Sequence, residues 1–301
     1  YGRDVRRVPC CMLRSQRHAR WLALPATAVF VLFGVVPLLT VVRYAGWRWS
    51  GVSDPTPVGF DNMVRLFGDG ELWRSLGTTV AFAGLTIPIF LVLSLMVASA
   101  IYKTRLERFV KALLFAPGLV TVGGSAIAWY LLYNPDFGVV RELTGWSLPW
   151  TTQPFAALVY VVAFTLWQQT GYGVLVVSAA LRGIPTEVKE AARLDGASEP
   201  GVFRFVTLPL LRPTLTFLTI IATVLSLQSY TAVYLLTGGG PFGSTRVLGF
   251  YLYETAFERF ELGYGAAITL FVLVVTLLVA VAQALALRDR GVGRGAMAGD
   301  A

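Results

Sequence analysis

Charge is what this sequence has least of. Charged residues make up 14% of the 301 positions and hydrophobic residues 55%, whereas a soluble domain carries about a quarter charged residues. The charges are also clustered, leaving long stretches with none, and that pattern points to a membrane. Histidine is nearly missing: His18 stands alone in an arginine-rich tail. This argues against a histidine-based metal site or a Ser-His-Asp triad in this chain. The two cysteines, Cys10 and Cys11, are adjacent, too strained a geometry for a structural disulfide and without metal-ligand spacing. No Gly-rich Lys-Ser/Thr phosphate loop is present, so ATP hydrolysis is not expected of this chain, and no cofactor is expected in it.

The apolar residues fall into six intervals, about 22–42, 76–101, 112–133, 155–181, 213–237 and 262–287. Each is close to the roughly 20 residues a helix needs to cross the hydrocarbon core. An all-α, polytopic bundle of six transmembrane helices is expected. The first interval has the arginine-rich start of a signal peptide, but its run is too long for an h-region and lacks a small-x-small cleavage site. Lys and Arg set the orientation. The tail 1–20 and the segments 103–111, 182–212 and 288–301 hold eighteen of the 25 basic residues, and the alternate segments hold seven. The richer set, with both termini, is expected in the cytoplasm. The basic charge thus reads as a topology signal, not a nucleic-acid surface. The expected organisation is a cytoplasmic tail 1–20, a membrane domain 21–288 and a cytoplasmic tail 289–301. Trp47, Trp49 and Trp146 fall in or beside outer loops, where an interfacial aromatic belt is expected.

Segment 183–209 is too polar to enter the bilayer. Thr186 can cap a helix over 187–194, and Asp195-Gly196 can end it in a left-handed turn. Ser198 can cap a second short helix with Pro200 in its first turn. Leu208-Pro209 and Pro213 are expected to break the chain before the fifth span. A helix–turn–helix with Ala191 and Ala192 beside charges suits docking into a partner's groove; it equally suits an amphipathic element resting on headgroups.

The order Glu190-Ala191-Ala192, Asp195-Gly196-Ala197, Phe203 and Leu208-Pro209 resembles the EAA motif of binding-protein-dependent ABC importer permeases. The stretch Leu236-Thr237-Gly238-Gly239-Gly240-Pro241 with Thr245, and then Tyr251, Tyr253, Ala256-Phe257 and Gly263-Tyr264-Gly265-Ala266-Ala267, resembles the carbohydrate, maltose-type "first" permeases. The similarity covers roughly residues 20–288. The extra N-terminal spans and large external insertion of some members of that family are not expected here. The resemblance implies a type I ABC importer permease fold in a bacterial inner membrane. It implies that Glu190, Ala191, Ala192, Asp195, Gly196, Ala197, Phe203, Leu208 and Pro209 form a cytoplasmic coupling helix seated on an ATPase subunit. The implied partners are a second permease subunit, expected to be a different chain, an ATPase dimer that binds the ATP and Mg, and an extracytoplasmic solute-binding protein, besides membrane lipid.

Polar residues inside spans are costly and mark a cavity or the bundle interior. Thr165, Gln168, Gln169 and Tyr172 cluster in the fourth interval, and Ser226, Gln228, Ser229 and Tyr230 in the fifth. They fall where the maltose-type family places sugar contacts, and neutral hydrogen-bonding groups with aromatic rings suit a sugar. They equally serve as hydrogen-bonding glue between helices. A stand-alone secondary transporter is the alternative, but it wants ionisable residues in the spans and often an inverted repeat, neither of which is evident. A membrane-embedded enzyme wants catalytic carboxylates, His or metal ligands at membrane depth. The solute stays open among disaccharides, longer oligosaccharides and glycerol-phosphate compounds.

Overall fold

The computed structural model describes residues 24–292, with side chains up to 285. The tail 1–20, with Cys10, Cys11 and His18, lies outside the described residues, as does most of the tail 289–301. The described chain is helical almost throughout. Helix α1 (Leu24–Ala45) lies at the margin and packs along the last helix, α12 (Leu262–Val292). A two-residue antiparallel ribbon, β1 (Trp47–Arg48) with β2 (Thr56–Pro57), follows α1, and Trp49 stacks on Tyr44 at 4.6 Å. The short helix α2 (Asp61–Gly68) is tied to that ribbon by Asn62, whose amide donates to the carbonyls of Ala45 and Trp47, both at 2.9 Å.

Helix α3 (Gly70–Ile101) begins at Asp69, whose carboxylate accepts from the backbone N–H groups of Glu71 and Leu72 at 2.9 and 3.2 Å. This occupies two of the donors that a helix start leaves free. Its buried residues, Leu72, Ser75, Thr79, Phe82, Thr86, Phe90, Ser94 and Ala98, recur every three or four positions. They make one stripe that mixes bulky apolar side chains with small, mostly hydroxyl-bearing ones.

The third apolar interval is not one straight span. It is α4 (Glu107–Leu119) and α5 (Val122–Tyr133), meeting at a bend of 100°. Pro117 lies in the last turn of α4, Val120 is extended, and Thr121 restarts the helix by accepting from Gly124 N–H. Helix α6 (Val139–Thr144) follows and ends at Gly145, whose φ is +71°. Helix α7 (Pro154–Arg182) is the centre of the bundle and packs most extensively against α3 and α4. Its 29 residues cover about 43 Å.

The polar segment forms α8 (Thr186–Leu194), followed by α9 (Glu199–Leu227). Two expectations are corrected here. Pro185 occupies the cap position of α8, while Thr186 is already helical and no side-chain capping bond forms. Leu208-Pro209 and Pro213 do not break the chain: α9 runs from Glu199 through both prolines to Leu227. A wide π-turn over Phe203–Thr207, with Leu208 N–H bonded back to Phe203, absorbs Pro209. It relieves the clash between the proline ring and the carbonyl four residues back. The fifth helix therefore begins earlier than expected and also stops earlier, at Leu227. The chain unwinds over 228–230 before α10 (Thr231–Leu236). Helix α11 (Leu248–Tyr253) runs into a π-turn at Glu254–Glu258 and leads to α12.

By length and apolarity, α1, α3, α9 and α12 can each cross a membrane, making four spans, or up to five if the bent pair α4–α5 counts as one. Helix α7 has the length, but the polar run from Thr165 to Tyr172 dilutes its apolar character.

Candidate functional site: an exposed elbow and a polar band

The elbow between α8 and α9 is closed by backbone geometry. Gly196 has φ +87°, its N–H donates to Arg193 O at 3.0 Å, and Ala197 N–H donates to Ala192 O at 3.0 Å. These paired bonds satisfy carbonyls that the end of α8 would otherwise leave free. A β-carbon on Gly196 would meet nothing within 4 Å, so glycine is required there by its backbone angle and not by space. Ser198 stands at the cap position of α9 with Pro200 in the first turn, although its hydroxyl makes no capping bond. Arg193 grips Glu199 across the elbow through Nε at 2.7 Å and Nη2 at 3.2 Å. That fork holds the Arg193 guanidinium pKa above its ordinary value. The pair is exposed, so solvent screening leaves it little weight in stability.

Glu190, Ala191, Asp195 and Gly196 are exposed, while Ala192, Ala197, Phe203, Leu208 and Pro209 are half-buried. Glu190 makes no salt bridge among the described residues. Leu194 is 88% exposed and Phe205 74%. The elbow therefore offers a free carboxylate and apolar knobs on one projecting unit. On its inner side is a cavity of about 430 Å³ lined by Tyr102, Lys103, Lys189, Glu190, Arg193 and Phe203, among others. The Lys189 ammonium sits 4.9 Å from the Tyr102 ring centroid. Its pKa is lowered by burial first, and then by the neighbouring charges of Lys103 and Arg193.

The second feature is the polar band of α7. Thr165 is buried and turns its hydroxyl back to Val161 O at 2.8 Å. Gln168 and Gln169 are half-buried and Tyr172 is exposed. None of these last three side chains has a hydrogen-bond partner among the described residues. Two glycines in or just beyond this stretch let neighbouring helices approach closely, Gly171 against the backbone of α4 and Gly173 against side chains of α3. A β-carbon on Gly171 would lie 2.0 Å from Leu114 O of α4, and one on Gly173 2.1 Å from Ser94 Oγ of α3. Trp167, on the same stretch, packs at 4.9 Å from Trp129 of α5.

The fifth-interval residues are split by the unwinding. Ser226 is buried near the end of α9, while Gln228, Ser229 and Tyr230 form the non-helical link to α10. Gly249 of α11 backs this link, since a β-carbon there would lie 2.8 Å from Ser229 O. Tyr230 stacks on Tyr253 at 5.3 Å, and Tyr253 continues to Tyr234 and Phe257. No hydrogen bond joins the α7 band to the 226–230 link among the described residues. The glycine loop after α10 is built around Thr245, buried, which bonds to Thr237 Oγ1 at 2.7 Å and Gly240 O at 2.9 Å.

Sequence reading missed two junctions. Asp69 accepts hydrogen bonds from the hydroxyls of Tyr251 and Tyr264, both at 2.5 Å, tying the start of α3 to α11 and α12. Glu107, buried, accepts from Lys111 at 2.6 Å and from Arg182 at 2.9 Å. The Glu107–Lys111 pair was readable from its spacing of four; the tertiary partners carry no local signal.

The family described as binding-protein-dependent transport system inner membrane component matches residues 66–290. The chain is 30% identical over 283 residues to the lactose transport system permease protein LacF of Rhizobium radiobacter, covering 89% of this chain and 92% of that one. It is 31% identical over 273 residues to the trehalose/maltose transport system permease protein MalF of Thermococcus litoralis, covering 88% and 91%. Its fold matches a chain of a bacterial ABC transporter involved in the import of the acidic polysaccharide alginate, with TM-score 0.77 and 22% identity over 92% of this chain and 97% of that chain. The chain belongs to the binding-protein-dependent transport system inner membrane components, the membrane-spanning permease subunits of ABC importers.

Proposed function

We propose that this permease forms half of the pathway of a sugar importer and is driven by a cytoplasmic ATPase seated on the 183–209 elbow. The observation that carries this reading is the elbow itself: a turn closed by Gly196 that projects an exposed Leu194 and an exposed Glu190 with no salt bridge among the described residues. A free carboxylate beside small residues suits a charge-assisted contact with a basic groove. In this reading the basic-rich ends and both termini face the cytoplasm, and α7 completes the spanning set with α4–α5 as one broken crossing. The second permease subunit, the ATPase dimer and an external solute-binding protein complete the assembly.

The names of LacF and MalF support a sugar as cargo. So does the chemistry of the polar band. Unpaired amides are expensive against lipid, so Gln168 and Gln169 call for water, solute or a second subunit. Neutral amides and the Tyr230–Tyr253 stack are groups that bind sugar hydroxyls and the apolar faces of sugar rings. We assign solute contact to Thr165, Gln168, Gln169, Tyr172, Ser226, Gln228, Ser229 and Tyr230.

The test is the assembled importer carrying Glu190→Ala together with Gly196→Pro. Loss of uptake and of solute-stimulated ATP hydrolysis is expected. Uptake and stimulation at the wild-type level would overturn the assignment of the elbow.

A further inference from the structure

Three pieces of the chain meet at one buried carboxylate. Glu107 opens α4, Arg182 closes α7 four residues before α8, and Lys103 sits in the turn between α3 and α4. Glu107 Oε1 accepts from Lys111 Nζ at 2.6 Å and from Arg182 Nη2 at 2.9 Å, while Oε2 accepts from the Lys103 backbone N–H at 3.2 Å. Lys103 holds φ +59°, a left-handed angle that a side chain disfavours, and the carboxylate fixes that turn. The same turn touches the elbow, because Lys189 of α8 lies over the Tyr102 ring. Glu107 is the only acid in the basic run 103–111.

The far end of α4 leads to the polar band. Leu114 and Phe115 press against Gly171, and a β-carbon on Gly118 would lie 3.3 Å from Gln168 O. Helix α4 is therefore a 13-residue strut. One end is latched by charge to the base of the elbow, and the other lies in backbone contact with the residues flanking Gln168 and Tyr172. Beyond it the 100° bend separates α4 from α5.

We infer that Glu107 is a positioning residue for transport: its bond to Arg182 makes α4 move with the elbow and carry that movement to the polar band of α7. This rests on the proposed coupling role of the elbow. A latch that merely held the bundle together would affect assembly. A latch that transmits movement affects how strongly loaded binding protein stimulates ATP hydrolysis in complexes that have assembled normally.

The test uses the full importer with Glu107→Gln, Arg182→Gln and the two combined. Assembly is read by co-purification of ATPase with permease, and coupling by the ratio of stimulated to unstimulated ATP hydrolysis. Each single variant is expected to lower the ratio about tenfold per assembled complex, and the double variant no further, because both remove one shared bond. Glu107→Asp, which keeps the charge, is expected to restore part of the ratio. The inference is overturned if assembled Glu107→Gln couples like wild type, if the two losses multiply, or if the loss only tracks failed assembly. A Glu190→Ala variant measured alongside separates the two ideas. Loss of coupling there with normal coupling in Glu107→Gln sinks the latch alone, while normal coupling in Glu190→Ala sinks the elbow reading beneath it.

Discussion

Gly171 of α7 meets Leu114 of α4 so closely that a β-carbon on the glycine would lie 2.0 Å from the leucine carbonyl oxygen. That obstacle is backbone and cannot rotate away. Small residues are how membrane helices reach such distances, since lipid supplies no hydrophobic drive for helix association.

Gly171→Ala is therefore expected to force α4 and α7 apart and to cost about 1–3 kcal/mol, the usual penalty of overpacking. The check is the thermal unfolding midpoint of the purified complex. It should fall, and uptake should fall with it because the polar band adjoins the contact. An unchanged midpoint would show that the two helices do not pack here.

Asp69 should contribute to acid sensitivity. Burial tends to raise the pKa of this carboxyl, but the hydroxyls of Tyr251 and Tyr264, with the N–H groups of Leu72 and Glu71, outweigh that and hold it below the ordinary value. A carboxylate lowered in the folded state contributes stability that is fully present above the unfolded value of about 3.9. That stability is lost as pH falls through the lower folded value. The melting midpoint of wild type, followed from pH 6 downward to about 3, should show an acid step that is reduced in Asp69→Asn. An identical step in both proteins would remove Asp69 from the explanation.

Solute recognition should show itself in affinity. Gln168→Ala and Gln169→Ala each remove an amide without a hydrogen-bond partner among the described residues, so assembly should be unaffected. If each contributes one hydrogen bond to the solute, of about 1–1.5 kcal/mol, the KM for uptake should rise about tenfold. Reduced assembly with unchanged KM would instead mark these amides as contacts to the second permease subunit.

Much of this architecture was legible in the composition. Apolar intervals announce helices because every backbone group in lipid must be paired internally. The left-handed end of α8 was readable in Asp195-Gly196, since few residues but glycine tolerate φ +87°. The prolines misled. Pro209 and Pro213 signal a break locally, yet α9 runs through both, because a π-turn over Phe203–Thr207 takes up the clash and the packing of Leu211 and Leu218 holds the helix. The bend at Val120–Thr121 lies inside a charge-free interval that hydropathy alone reads as one span, although Pro117-Gly118 just before it is a local break signal. The unwinding at 228–230 was hidden for another reason. It is backed by Gly249 of α11, twenty residues away, whose missing side chain leaves room for Ser229 O. Close approaches of this kind, like the bonds to Asp69 and Glu107, join residues far apart in the sequence and leave no periodicity to read.

The most direct test of the ATPase-seated elbow is a photo-cross-linker placed at Leu194, 88% exposed at the end of α8. Irradiation of the assembled importer in membranes should join this position to the ATPase subunit. A cysteine there should also resist membrane-impermeant maleimide added outside intact cells. No adduct with the ATPase, or labelling of Leu194→Cys from outside, would contradict a cytoplasmic elbow that drives the permease.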